Sequence, residues 1–163
     1  MTQDVQTIKK DRLRFTKDSF SASLVILAIV FDCLYFVSIY QSDVGNFYYN
    51  WLIGVSIVYN LVFLLAAFLA SESVKSRKSG YSGVLIVLGI VQIARIFILP
   101  RMAHAAVVVV NGVENVVMTN GQYMYCVVCL VASAVCCVVA AVISAKNNKI
   151  LADYMKTIET KAA

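Results

Sequence analysis

Apolar residues run almost unbroken through four stretches of the chain: Phe20 to Tyr40, Tyr48 to Ala70, Tyr81 to Leu99, and Gln122 to Ala145. A bilayer core of about 30 Å is crossed by roughly 20 helical residues, and each stretch has that length. A segment in hydrocarbon must satisfy its own backbone hydrogen bonds, which a helix does and an open strand does not. The pattern therefore predicts an all-α membrane protein, a bundle of four transmembrane helices over residues 20–145. A polar, basic segment over 1–19 precedes it, and residues 146–163 follow it.

Two stretches between and after the spans have patterns of their own. In the expected external loop, 100–121, the runs Ala105 to Val110 and Val113 to Met118 flank Asn111-Gly112. That dipeptide supplies the positive φ of a type I′ turn, so the expectation is a short extracytoplasmic β-hairpin between the third and fourth helices. Two Val-rich strands are marginal alone in water, and this pair is expected to lie on the membrane, the helix ends or another protein. After the fourth span, Ile150, Leu151, Tyr154, Met155 and Ile158 recur at helical spacing among Lys149, Asp153, Lys156 and Glu159. That spacing extends the last helix as an amphipathic stem, suited to a partner or to the membrane surface. Val108, Val110, Val113 and Val116 of the hairpin, with the five apolar stem residues, are the candidate partner contacts.

Composition agrees with the pattern: 61% of the 163 residues are apolar and 14% charged, a balance that a water-soluble domain could not keep off its surface. A chain this short leaves no room for a separate soluble catalytic domain. The long polar lead before the first apolar run is unlike a cleavable signal peptide. Lys9, Lys10, Arg12, Arg14 and Lys17 precede the first span, Lys75, Arg77 and Lys78 separate the second from the third, and Lys146, Lys149, Lys156 and Lys161 follow the fourth. Only Arg101 lies on the other side, so the positive-inside rule places both termini in the cytoplasm. The net charge of +5 is thus flanking charge, with no basic face for nucleic acid. Aromatic residues fit the same interfaces, with Tyr40, Phe47, Tyr48, Tyr49, Trp51, Tyr123 and Tyr125 outside, and Phe20 and Tyr81 inside.

Charges within a span are costly and are the first place to look for function. Counted from the cytoplasmic boundaries, Asp32 lies at ~18 Å, Arg95 at ~21 Å, Asn60 at ~15 Å, Gln92 at ~16 Å and Ser133 at ~18 Å. Each helix thus offers a polar group to one layer. Such a layer could bind a ligand or pass an ion, with Asp32 accepting a proton or cation and Arg95 holding an anion. It could equally be a clamp in which opposite charges neutralise one another and fix helix register. Either charge could also pair with a second subunit.

The five cysteines are Cys33 in the first span and Cys126, Cys129, Cys136 and Cys137 in the fourth. The stretch Tyr125-Cys126-Val127-Val128-Cys129-Leu130 places a C-x-x-C at the outer end of the last helix. This resembles the vitamin K epoxide reductase family, whose four-helix membrane fold carries its redox pair there. The resemblance implies thiol oxidoreductase chemistry at Cys126 and Cys129, but the loop from Gln41 to Phe47 lacks the family's second cysteine pair. Thiol exchange needs an accessible thiolate, whereas cysteines among Val and Ala are also ordinary small packing residues. The single histidine, His104, lies in the outer loop, away from the cysteines, so no metal site is expected. Pro100 is expected to end the third helix.

No phosphate loop, metal set, catalytic triad or cofactor motif is found. The leading expectation is a non-catalytic accessory, assembly or regulatory subunit of a larger membrane complex, with a transporter as its concrete form, in a bacterial plasma (inner) membrane. The expected surroundings are the lipid bilayer and either a larger membrane-protein partner or a homo-oligomer. The alternatives are a small oligomeric channel or carrier built on Asp32, Asn60, Gln92 and Arg95, and a thiol oxidoreductase built on Cys126 and Cys129.

Overall fold

The computed structural model describes residues 17–41, 51–78, 80–110 and 113–162. Expectations placed on Lys9 to Arg14, on Phe47 to Tyr49 and on the Asn111-Gly112 turn lie outside those residues. The elements run α1 (Ser19–Gln41), α2 (Trp51–Lys75), α3 (Tyr81–Ile96), α4 (Leu99–Ala105), β1 (Val107–Val110), β2 (Val113–Val116) and α5 (Asn120–Ala162). Among the described residues, four stretches are long and apolar enough to cross a membrane, the third comprising α3 and α4 together. We call the end bearing Asp18, Lys75 and Asn147 the basic end, and the other the far end.

Around the bundle, α5 packs against α1 and α3, and α2 fills the remaining place between α1 and α3. The inward face of each helix follows a 3-4 spacing. In α1 it is Ser21, Val25, Ala28, Asp32, Tyr35 and Ile39; in α2 it is Asn60, Phe63, Ala67, Ala70 and Val74; in α5 it is Cys126, Leu130, Ser133, Cys137, Ala140 and Ser144, all buried. This is the seam of left-handed helix packing, and small residues along it let backbones approach. Gly89 of α3 marks the tightest approach: a Cβ there would lie 3.1 Å from Val138 Cγ2 and 3.2 Å from the Ala134 carbonyl oxygen.

Local chemistry closes the helix ends. Asp18 caps α1 by accepting from the Ser21 amide at 3.2 Å and hydroxyl at 2.8 Å, and it accepts from Asn147 Nδ2 of α5 at 2.9 Å. At the end of α2, Arg77 takes a left-handed φ of 54°. Its amide donates to Val74 O at 2.9 Å and that of Lys78 to Ser73 O at 3.0 Å, which is a Schellman closure. Thr119 and Gln122 form a capping box at the start of α5, the Thr119 amide donating to Gln122 Oε1 at 3.1 Å and the Gln122 amide to Thr119 Oγ1 at 3.4 Å.

Three expectations need correction. Pro100 does not end the third helix; α3 stops at Ile96, and Pro100 sits in the first turn of α4, where its missing N–H breaks no bond. The break falls at Phe97 and Ile98, whose amides reach only to Ala94 and Arg95. The expected loop from 100 is therefore helical at its start. Nor is there a packed outer hairpin. β1 and β2 run antiparallel with Val107 opposite Val116, but they are four residues each, and Val107, Val109 and Val116 are 50%, 63% and 58% exposed. The face that carries Val107, Val109, Glu114 and Val116 is uncovered, and a pair of strands this short needs support to be stable. What holds the segment is its exit: Val117 and Met118 are buried, and the Val117 amide donates to Ala106 O at 3.3 Å.

The apolar core is divided. A far-end tier contains Tyr35, Ile39, Ile96, Leu99, Met118 and Leu130; a basic-end tier contains Val25, Phe63, Ala67, Leu85, Cys137 and Ala141. Between these tiers α1, α2, α3 and α5 each bury at least one polar residue.

Candidate functional site

Asp32, Asn60, Gln92, Arg95 and Ser133 meet in the layer between the two tiers, and none is more than 6% exposed. Gln92 and Arg95 are three residues apart on α3 and so share a face. Arg95 Nη1 donates to Asp32 Oδ1 at 2.8 Å and to Gln92 Oε1 at 3.4 Å. Its Nη2 donates to Asn60 Oδ1. Gln92 Nε2 donates to Asp32 Oδ1 at 2.9 Å and to Ser133 Oγ at 3.3 Å, while Ser133 Oγ donates to Ala28 O at 3.0 Å. A continuous network thus joins α1, α2, α3 and α5.

Two aromatic rings complete the arginine's surroundings. Its Cζ lies 4.4 Å from the centroid of Tyr35 and 4.6 Å from that of Tyr59. Cation–π attraction is stronger where water is excluded, so the guanidinium is held both in its plane and across its faces. Sequence reasoning missed these rings, although Tyr35 lies one turn beyond Asp32 and Tyr59 beside Asn60. Their hydroxyls, with Asp32 Oδ2 and Asn60 Nδ2, are buried with no hydrogen-bond partner among the described residues.

Two clefts flank α2 and reach this layer from the bundle's outer surface. One of about 250 Å³ is bounded by Asp32 and Asn60 among apolar neighbours. The other, about 180 Å³, is bounded by Ser56, Tyr59, Arg95 and apolar neighbours that include Val55, Val91 and Leu99.

The remaining candidates lie elsewhere. Cys126, Cys129 and Cys137 are buried, Cys136 is half-buried and Cys33 is exposed, and all five are free thiols. Cys126 Sγ donates to Ser38 Oγ at 3.7 Å. His104 Nε2 lies 2.6 Å from Asn120 Oδ1, and its ring packs 4.6 Å from that of Tyr123, tying α4 to the start of α5. Val116, Ile150 and Met155 are exposed, and Leu151 and Tyr154 are half-buried. The structure places these away from the polar layer, Val116 on β2 at the far end and the other four together on the stem of α5. The side chains of Val108, Val110, Val113 and Ile158 lie outside the described residues. Among the described residues, no group of three or more His, Cys, Asp and Glu could hold a metal ion.

A buried ion pair whose hydrogen bonds run to Gln, Asn and Ser fixes helix register, and losing one partner leaves an uncompensated charge. No family model matches the chain, and no curated protein or solved structure matches it either.

Proposed function

We propose that the chain is an integral membrane protein with both termini on the cytoplasmic side of a bacterial plasma membrane. It acts without catalysis as a small accessory, assembly or regulatory subunit of a larger membrane complex, for which a transporter is the favoured partner. The pairing of the two buried charges with each other carries this reading. The ionised groups at mid-depth, Asp32 and Arg95, bond to one another and to Asn60 and Gln92 within the chain. Charges spent on each other serve to hold four helices in register.

Contacts to the partner are assigned to the stem of α5 and to the outer segment 107–116, read as a short hairpin that gains cover only against another protein. α5 is one helix of 43 residues, ~64 Å long, about twice a bilayer core. Ile150 and Met155 are 45% and 51% exposed on its stem. Replacing both by Asp is expected to release the partner during purification in mild detergent while leaving the bundle's unfolding midpoint unchanged. Retention of the partner would remove the stem from the interface.

One observation favours a second reading, an oligomeric channel or carrier: the clefts beside α2 reach Asp32, Asn60 and Arg95 from the surface. Vesicles reconstituted with the wild type and with the pair Asp32→Asn/Arg95→Gln separate the two readings. A path loses its flux in the double variant, whereas a subunit without a path shows none in either.

A further inference from the structure

The cleft between α1 and α2 is lined by Asp32, Cys33 and Phe36 on one side and by Asn60, Leu61 and Leu64 on the other. Its walls are apolar except where they meet the polar layer. There, Asp32 Oδ2 and Asn60 Nδ2 are both buried and both without a hydrogen-bond partner among the described residues. A buried polar atom left unpaired costs about 1–3 kcal/mol, more when charged, so each favours a ligand that satisfies it. The carboxylate oxygen only accepts and the amide nitrogen only donates. A hydroxyl does both at once, donating to Asp32 Oδ2 and accepting from Asn60 Nδ2.

Depth and size narrow what carries that hydroxyl. Asp32 lies ~18 Å along its span, near the middle of a hydrocarbon layer about 30 Å thick. A charged headgroup is expensive there, whereas a neutral molecule with one polar group is not. The cleft holds about 250 Å³, less than the roughly 300–1,000 Å³ of a site for a drug-sized ligand, so it takes a head and the first part of an apolar body. We propose that the cleft between α1 and α2 binds a neutral, membrane-soluble alcohol or phenol, with its hydroxyl on Asp32 and Asn60 and its apolar body against Phe36, Leu61 and Leu64. The proposal rests on the reading of the helices as membrane spans and is independent of the accessory role.

The test uses the full chain in mild detergent with two matched pairs of probes, 4-nonylphenol against nonylbenzene and 1-dodecanol against dodecane. The hydroxyl member of at least one pair is expected to raise the unfolding midpoint by roughly 2–4 °C over its hydrocarbon. The pair with the larger difference tells an aromatic ligand from an aliphatic one. Leu61→Trp, at the mouth of the cleft, abolishes the shift. Leu65→Trp, equally outward on α2 but not lining the cleft, retains it. Should Leu61→Trp fail to fold, alkylation of Cys33 by N-ethylmaleimide, followed by peptide mass spectrometry, gives the same answer on the unaltered chain. The hydroxyl probe then slows labelling several-fold, and its hydrocarbon does not. Equal effects of alcohol and hydrocarbon, or a shift retained in Leu61→Trp, overturn the proposal. Extraction of the chain from membranes by alkaline carbonate would instead overturn the membrane reading beneath it.

Discussion

Arg95 joins a carboxylate on α1, an amide on α2 and two tyrosine rings. Truncating it as Arg95→Met leaves Asp32 charged between two apolar tiers, a loss of about 3–5 kcal/mol. Asp32→Leu is expected to cost a similar amount, and the two together much less than their sum. Thermal unfolding of the variants in mild detergent measures the coupling; simple additivity would mean that the pair holds nothing. Gly89 gives a second test at this scale. Gly89→Ala drives a Cβ against Val138 and the Ala134 carbonyl and is expected to lower stability by about 1–3 kcal/mol. Gly54→Ala meets open space and gains up to about 1 kcal/mol from helix propensity. Equal effects at the two positions would contradict the close approach of α3 to α5.

At the scale of elements, the spans were legible because length and apolarity are sufficient signals for them, as α1 and the apolar part of α5 illustrate. Which face of each helix turns inward was not. Leu, Val and Ile occupy both faces, so the inward side is told by Ala, Ser, Cys and Gly at 3-4 spacing, as in Ser133, Cys137, Ala140 and Ser144. The polar layer was legible because five polar residues in apolar spans stand out, and counting along helices compares their depths. The helix ends held further signals. Asp18 three residues before Ser21, and Thr119 three before Gln122, are capping patterns that follow from spacing. The Arg77 turn carried none, since a left-handed arginine is selected by the Schellman closure and by its Nη1 bond to Asn147 O at 3.4 Å. Both Arg77→Gly and Arg77→Ala lose that bond, but only alanine keeps the left-handed strain. The glycine variant is expected to be more stable by about 1 kcal/mol, as unfolding midpoints will show. Thr119→Ala is expected to cost about 1 kcal/mol and to speed amide exchange in the first turn of α5.

Taken whole, the molecule pairs its buried charges internally and leaves apolar faces exposed. Val58, Leu61, Val62, Leu65 and Leu69 on α2 are each 54% to 62% exposed, a face suited to lipid or to an apolar partner. Opposite-charge pairing within the layer, a helix that outruns the bundle and short strands with exposed Val107, Val109 and Val116 at the far end all fit a protein completed by another. The measurement that bears most directly on this is native mass spectrometry of the tagged chain released from its own membranes in mild detergent. The expected result is a defined complex with a larger membrane protein at fixed stoichiometry, dissolved by the Ile150→Asp/Met155→Asp pair. A homogeneous oligomer of this chain alone, unchanged by that pair, would contradict the accessory role and favour the channel or carrier.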